Sequence, residues 1–466
     1  MKIWTIVCLT IALLLAGCQL GANYKRPKTP VPAEYRAAVP YSNQASMAEM
    51  KWFDLFQDDQ LKALIQTALQ QNYDMRIASA RVLQARALYG ITRSNLFPTV
   101  SADVGANSFR PSESAQFAFP DLLNAKTSNY TSLGLNLGWE VDVWGRIRRL
   151  TEASRAEYLA QENVQRGVIT TLVADVATAY FDLRELDLEL EIAHSTLATR
   201  EKGLRLTTLR RNQGVESSLA VRQSEDLLYS ATAQIAQIER LIEQKENQIC
   251  LLVARNPGDI VRGKPLSDQY IPPVIPAGLP SSLLERRPDI REAEQSLIAA
   301  NARIGAAKSA YFPRITLTGF LGTESQDLGN LFTGPTRAWN FIANASMPIF
   351  TAGRIKSGVK FAEAQQKEAL ARYEQSIQTA FREISDALIG YRKTREERAQ
   401  QELLVKAREE SRRLSERRWV GGLDSYLQVL DADRNLFEGQ LQLAQLRRNE
   451  LLAVVEVYRA LGGGWQ

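Results

Sequence analysis

Residues 133–146 read LGLNLGWEVDVWGR. Leu133, Leu135, Leu137, Trp139, Val141 and Val143 alternate with Gly134, Asn136, Gly138, Glu140 and Asp142. A period of two over eleven residues is a strand with one apolar and one polar face. The alternation ends at Gly145, and no proline follows until Pro257. One strand therefore runs directly into a very long helix. Upstream, Val100, Ala102, Val104 and Ala106 alternate with Ser101, Asp103 and Gly105, which supplies an antiparallel partner. Arms of about 9–11 residues suit tilted strands of a membrane barrel better than a soluble sheet.

The chain then repeats this design. Residues 74–98 and 289–313 align without a gap at an offset of 215, with nine of 25 positions identical, among them Gly90/Gly305 and Phe97-Pro98/Phe312-Pro313. Gly145-Arg146-Ile147 recurs as Gly353-Arg354-Ile355 at an offset of 208. Gly214, Leu219 and Val221 recur as Gly422, Leu427 and Val429. A second hairpin is expected from Ile315, Leu317, Gly319 and Leu321, paired with Trp339, Phe341, Ala343, Ala345, Met347 and Ile349; Phe320 and Ile342 break its alternation. Each unit is a helix, two strands and two long helices.

The long helices carry a 3.5-residue apolar repeat. Val176, Ala179, Leu183, Leu186, Leu190, Ala193 and Leu197 form one seam, and Tyr373, Ile377, Ala380, Ile384, Ala387 and Tyr391 form its counterpart. Asn212-Gln213-Gly214 and Gly421-Gly422 divide the two helical runs, and the proline-rich segment 256–280 joins the repeats.

The N-terminus reads MKIWTIVCLTIALLLAGC. Its 14-residue apolar stretch is too short to span a bilayer and reads as a signal peptide. Ala16-Gly17-Cys18 marks either a lipoprotein cleavage site, with Cys18 acylated, or ordinary cleavage beside an incidental cysteine. After cleavage Cys250 is the one remaining free thiol, so no intrachain disulfide forms.

Among 466 residues, 45% apolar and 23% charged, there is one histidine, His194. A net charge of +5 is mild for this length and does not point to nucleic acid. With so little His and Cys, hydrolase triads and His/Cys zinc sites are poor readings. No P-loop, nucleophile-elbow or zincin motif is present. His194 reads as a surface residue. Met47 and Met50 are weak candidates for soft metal ligands. The expectation is no enzyme, no metal and no cofactor beyond the lipid on Cys18.

Four strands cannot close a membrane barrel, and an open sheet in lipid would leave unsatisfied backbone groups at both edges. The monomer is thus incomplete, and a conducting tube favours three or more copies. Here the chain resembles the outer-membrane factor family, the TolC-like exit ducts, in the lipoprotein branch that serves resistance-nodulation-division pumps. The resemblance rests on Asn23-Tyr24-Lys25-Arg26-Pro27 after the lipobox, Trp139 to Arg146, Arg286-Arg287-Pro288-Asp289-Ile290-Arg291, Tyr311-Phe312-Pro313, Ser425 to Ala432 and Leu461-Gly462-Gly463-Gly464-Trp465. It implies a mixed α and β membrane protein: a homotrimer with a 12-stranded β-barrel, four strands per chain, continuous with a periplasmic α-helical barrel and an equatorial domain. It further implies outer-membrane sorting, a periplasmic adaptor and an inner-membrane pump as partners, and closure at the periplasmic helix tips.

On that plan the chain divides into signal peptide (1–17), lipid-anchored equatorial segment (18–72), first-repeat helix (73–96), hairpin (97–143) and long helices (144–255). An equatorial linker (256–288), second-repeat helix (289–311), hairpin (312–351), long helices (352–461) and tail (462–466) complete it. Gly214-Val215 and Gly422-Leu423 are candidate adaptor contacts, or plain turns that need a positive φ. Asp424 is a candidate gate carboxylate or the N-cap of the last helix, with Arg417 or Arg418 as nearby cations and Trp419 and Val420 as an apolar constriction. The expected function is a passive exit duct for drugs or other toxic small molecules. Metal-ion (copper or silver) efflux, protein secretion and a non-conducting coiled-coil spacer stand as alternatives.

Overall fold

The computed structural model describes residues 19–30, 32, 35, 36, 47, 50–110, 127–271 and 280–465. The signal peptide and Cys18 lie outside the described residues. The order is α1 (Trp52–Leu55), α2 (Asp59–Gln71), α3 (Tyr73–Ser94), β1 (Thr99–Phe109), β2 (Ser128–Val141), α4 (Arg146–Asn212) and α5 (Ser218–Leu252). There follow α6 (Leu283–Arg286), α7 (Pro288–Lys308), β3 (Arg314–Ser325), β4 (Arg337–Ser346), α8 (Arg354–Val420) and α9 (Tyr426–Ala460). Both α4 and α8 have 67 residues, and both α5 and α9 have 35. All four helix boundaries of the second repeat sit 208 residues after those of the first.

The chain divides into two units. The first comprises residues 1–27, 83–160 and 294–372 and contains the sheet. Its strands run in the order β1-β2-β3-β4, every neighbouring pair antiparallel. The register places Val100, Leu137, Gly319 and Phe341 in one row, and Ala102, Leu135, Leu321 and Trp339 in another on the same face. Trp339, Leu321 and Val104 are 77%, 65% and 77% exposed, so the described residues of the chain leave this apolar face uncovered. Ser101, Asn136, Phe320 and Asn340 share the opposite face. There Asn136 and Ser101 donate to Asp103 at 2.7 and 2.8 Å. Phe320 departs from the alternation because its ring lies across Gly134 and Gly322, where an added Cβ would come within 2.4 and 2.8 Å of it. Nothing in the structure accounts for Ile342, exposed on the same face. β4 ends at Ser346, short of the expected Ile349, because Pro348 has no N–H for a ladder. Beneath the strands, Ala153 and Ala156 of α4 meet Ala299 and Ala302 of α7, small residues that let the helices approach closely.

The second unit comprises residues 28–82, 161–293 and 373–466. The expected seam forms its core: Ala179, Leu183, Leu186 and Ala193 pack on Ile235, Ile238, Ile242, Ile249 and buried Cys250. The sequence pattern places no helix in the equatorial segment 18–72. The structure adds α2, capped by Asp58, which accepts from the amides of Gln60 (2.9 Å) and Leu61 (3.3 Å). Asp58 also accepts from Tyr180 Oη, Lys264 N and Gln269 Nε2, each at 2.8 Å, and so ties α2 to α4 and to the inter-repeat linker. Arg287 caps the far end of α9: it donates to Ala460 O (3.0 Å) and pairs with Asp289 (2.6 Å) and Glu383 (2.7 Å). Its hydrogen bonds with Asp289 and Glu383 raise its pKa further, against the effect of burial.

Candidate functional site

The helix tips come first. α4 closes onto α5 with Val215 N donating to Arg210 O (2.9 Å), and α8 closes onto α9 with Leu423 N donating to Arg418 O (2.9 Å). Gly214 and Gly422 sit at φ +78° and +73°, the left-handed position of a helix C-terminal motif. An added Cβ at either would meet nothing within 4 Å, so the turn's backbone sign alone accounts for both glycines. Val215 and Leu423 are 62% and 70% exposed.

Asp424 does not cap α9. The cap residue is Ser425, without a side-chain cap hydrogen bond. Asp424 instead accepts from Arg418 Nε (2.6 Å) and Nη2 (3.2 Å). These bonds hold its carboxyl below the usual carboxylate range. Trp419 also corrects the sequence reading. It is buried among Ala220, Tyr426, Val429 and Leu430, so its ring offers no wall to a pore. Its ring lies 4.5 Å from that of Tyr426, its indole N–H donates to Glu216 (3.2 Å), and Arg210 stacks over it at 4.9 Å. Trp419 therefore joins the two tips of one chain. Val420 stays exposed. Sequence reasoning missed Arg210 and Glu216, since nothing in the spacing announces a pairing of Trp419 with residues more than 200 positions away.

Above the tip lies a cavity of about 280 Å³. Buried Asp433 of α9 accepts there from Arg200 of α4 (2.9 Å) and Arg412 of α8 (3.2 Å), which links three helices through one carboxylate. Further along α4, Glu185 and Glu189 are both buried and share a hydrogen bond. Gln445 donates to Glu189 (3.0 Å), while Lys245 and Arg448 hold Asp182 at 3.1 Å each. Desolvation, aided by Glu189, pushes Glu185 up to about 8.

The strand-to-helix junction explains the stretch 139–146. Arg146 grips Glu140 through two bonds of 2.8 Å, and Arg314 pairs with the same carboxylate. Asp142, placed by the alternation on the polar face of the strand, instead caps α4 by accepting from Ile147 N (3.0 Å) and Arg148 N (2.8 Å). Trp144 donates to Pro313 O (2.8 Å) and stacks on Phe312. The second junction lacks this set, and Ala352 takes a positive φ of 47° beside Gly353.

Residues 64–255 and 279–463 match the family model described as outer membrane efflux protein. The chain belongs to the outer membrane efflux protein family. Members of this family similar to it include "Probable efflux pump outer membrane protein TtgC" of Pseudomonas putida, 40% identical over 97% of this chain and 94% of that one. "Cation efflux system protein CusC" of Escherichia coli is 35% identical over 98% of both. The open state of the Neisseria gonorrhoeae MtrE outer membrane channel superimposes with a TM-score of 0.87 at 31% identity, covering 96% of this chain and 99% of that one. Like the rest of its family, the chain is a component of the outer membrane.

Of the remaining candidates, Met47 and Met50 are joined through the backbone, Met50 N donating to Met47 O (3.1 Å). Met47 is buried, whereas Met50 is 41% exposed, and the Met50 carbonyl accepts from Tyr458 (2.7 Å). His194 is exposed on α4. Among the described residues no group of three or more His, Cys, Asp or Glu is arranged to hold a metal ion, and no helix is long and apolar enough to cross a membrane.

Proposed function

We propose that the protein is the outer-membrane exit duct of a tripartite efflux system, conducting drugs and other toxic small molecules passively. One observation carries this reading. A four-stranded sheet with an uncovered apolar face and two unpaired edges, β1 and β4, continues into two helix pairs of matched length. In lipid such edges are satisfied only by closure, and three copies supply twelve strands around a lumen lined by the Asp103 face. The same operation gathers twelve long helices into a periplasmic tube. The partners are two further copies, a periplasmic adaptor at the tips beside Val215 and Leu423, and an inner-membrane pump. Acylation of Cys18 anchors the trimer. Arg418, Asp424 and Val420 stand at the resting constriction. Relatives at 38–40% identity are named for toluene, solvent and antibiotic efflux, which favours organic cargo over metal ions. Purified in detergent, the protein is expected to run as a trimer and give discrete conductance steps in planar bilayers. A monodisperse, non-conducting monomer would overturn the reading.

A further inference from the structure

The first described residues of the chain are held more tightly than a tether needs. Arg149 of α4, 1% exposed, donates to Leu20 O (2.9 Å), Gly21 O (2.8 Å) and Asn23 Oδ1 (3.0 Å), and pairs with Glu152 (2.8 Å). Asn301 donates to Ala22 O (3.0 Å), and Arg26 binds Glu294 through two bonds of 2.6 Å. Gly21, at φ +87°, lies against Gly305, where an added Cβ would come within 2.8 Å of its Cα. The Gln19 Cα lies 3.0 Å from the Cβ position of Gly145, at the strand-to-helix junction. The groove is built once per chain. A Cβ added at the repeat counterparts Gly90 and Gly353 would meet nothing within 4 Å, and Ser357 occupies the position equivalent to Arg149.

We propose that residues 19–26 are an alignment strap, with Arg149 as its positioning residue. The strap fixes Gln19 beside Gly145 at the foot of the sheet and so sets the point to which a lipid on the preceding cysteine is tethered. The anchor thereby delivers the strands to the membrane at the depth where they close with other copies. The inference rests on acylation of Cys18.

Two variants of the full chain test it. Arg149→Met leaves the carbonyls of residues 20 and 21 without their donor. Insertion of Gln-Gly-Ser-Gly-Ser-Gly between Cys18 and Gln19 lengthens the tether, leaves every strap contact intact and keeps Gln after the cysteine. Pulse–chase labelling reads trimer formation in cells, and palmitate incorporation reads acylation. Both variants are expected to incorporate palmitate like the parent and to form trimers more slowly, by on the order of tenfold, because local concentration falls steeply with tether length. Combining them should add little. Normal trimer formation by the insertion variant overturns the strap and leaves Arg149 a packing residue. A parent chain that takes up no palmitate overturns the acylation reading and the strap with it.

Discussion

On the proposed reading, the Arg418–Asp424 pair is the finest detail on which resting closure turns. Asp424 is half-buried and bound by Arg418 of α8 alone among the described hydrogen bonds, so it is not fixed as a cap by the fold of α9. Asp424→Asn, which keeps a cap-competent side chain but removes the charge, is therefore expected to leak as much as Asp424→Ala in planar bilayers. A tight Asn variant would return the residue to a capping role. The pH dependence has a definite sign. A carboxyl whose pKa is lowered in the folded chain contributes above its unfolded pKa and loses that contribution as pH falls through the folded value. Resting conductance should stay flat from pH 7 to about 4 and rise only below. Asp424 was legible in the sequence because it follows a glycine turn between two heptad runs. The burial of Trp419 was not, because its partners Glu216 and Arg210 come from the other repeat.

At the scale of elements, period and proline placement carried most of the reading. The helix breaks at Gly214 and Gly422 correspond to observed boundaries, whereas the alternation of 133–143 falls on β2 but runs two residues past its end at Val141, where Asp142 turns to cap α4. α2 escaped notice because its start signal, Asp58, lies in a stretch dominated by loop residues, and only its contacts with Tyr180, Lys264 and Gln269 show its weight. Two elements end with a residue unsuited to its backbone. Ala254 after α5 and Ala352 before α8 take φ of +55° and +47°, in the region where a Cβ meets the neighbouring carbonyl. Ala254→Gly and Ala352→Gly should each stabilise the chain by roughly 1 kcal/mol, read as a higher midpoint in thermal denaturation. An unchanged or lower midpoint would mean that the bonds around the turn already absorb the strain.

At the scale of the whole molecule, one buried stripe of carboxyls on α4 ties stability to pH. The charged groups facing Glu185 are Glu189 and Asp182 on α4, Arg448 on α9 and Lys245 on α5, which pairs with Asp182. Folded Glu185 keeps a proton that the unfolded chain has lost above its ordinary pKa. The stability it contributes at low pH is therefore eroded as pH rises from about 4.5 to about 8. Thermal midpoints should fall across that window, and Glu185→Gln should flatten the fall; an equal slope in both proteins would refute the assignment. The open edges of β1 and β4 follow from the alternating pattern, whereas unequal use of the two repeats, with Arg149 on one side and Ser357 on the other, needs the three-dimensional structure. One modest feature has a practical use. Cys250 is wholly buried, with its thiol donating to Gly258 O. The folded protein is thus chemically dark to maleimides along its described length, and Cys250 begins to react only when the packing of α4 on α5 opens. The wild-type chain carries its own clock for unfolding, and a cysteine placed at an exposed tip will report alone among the described residues.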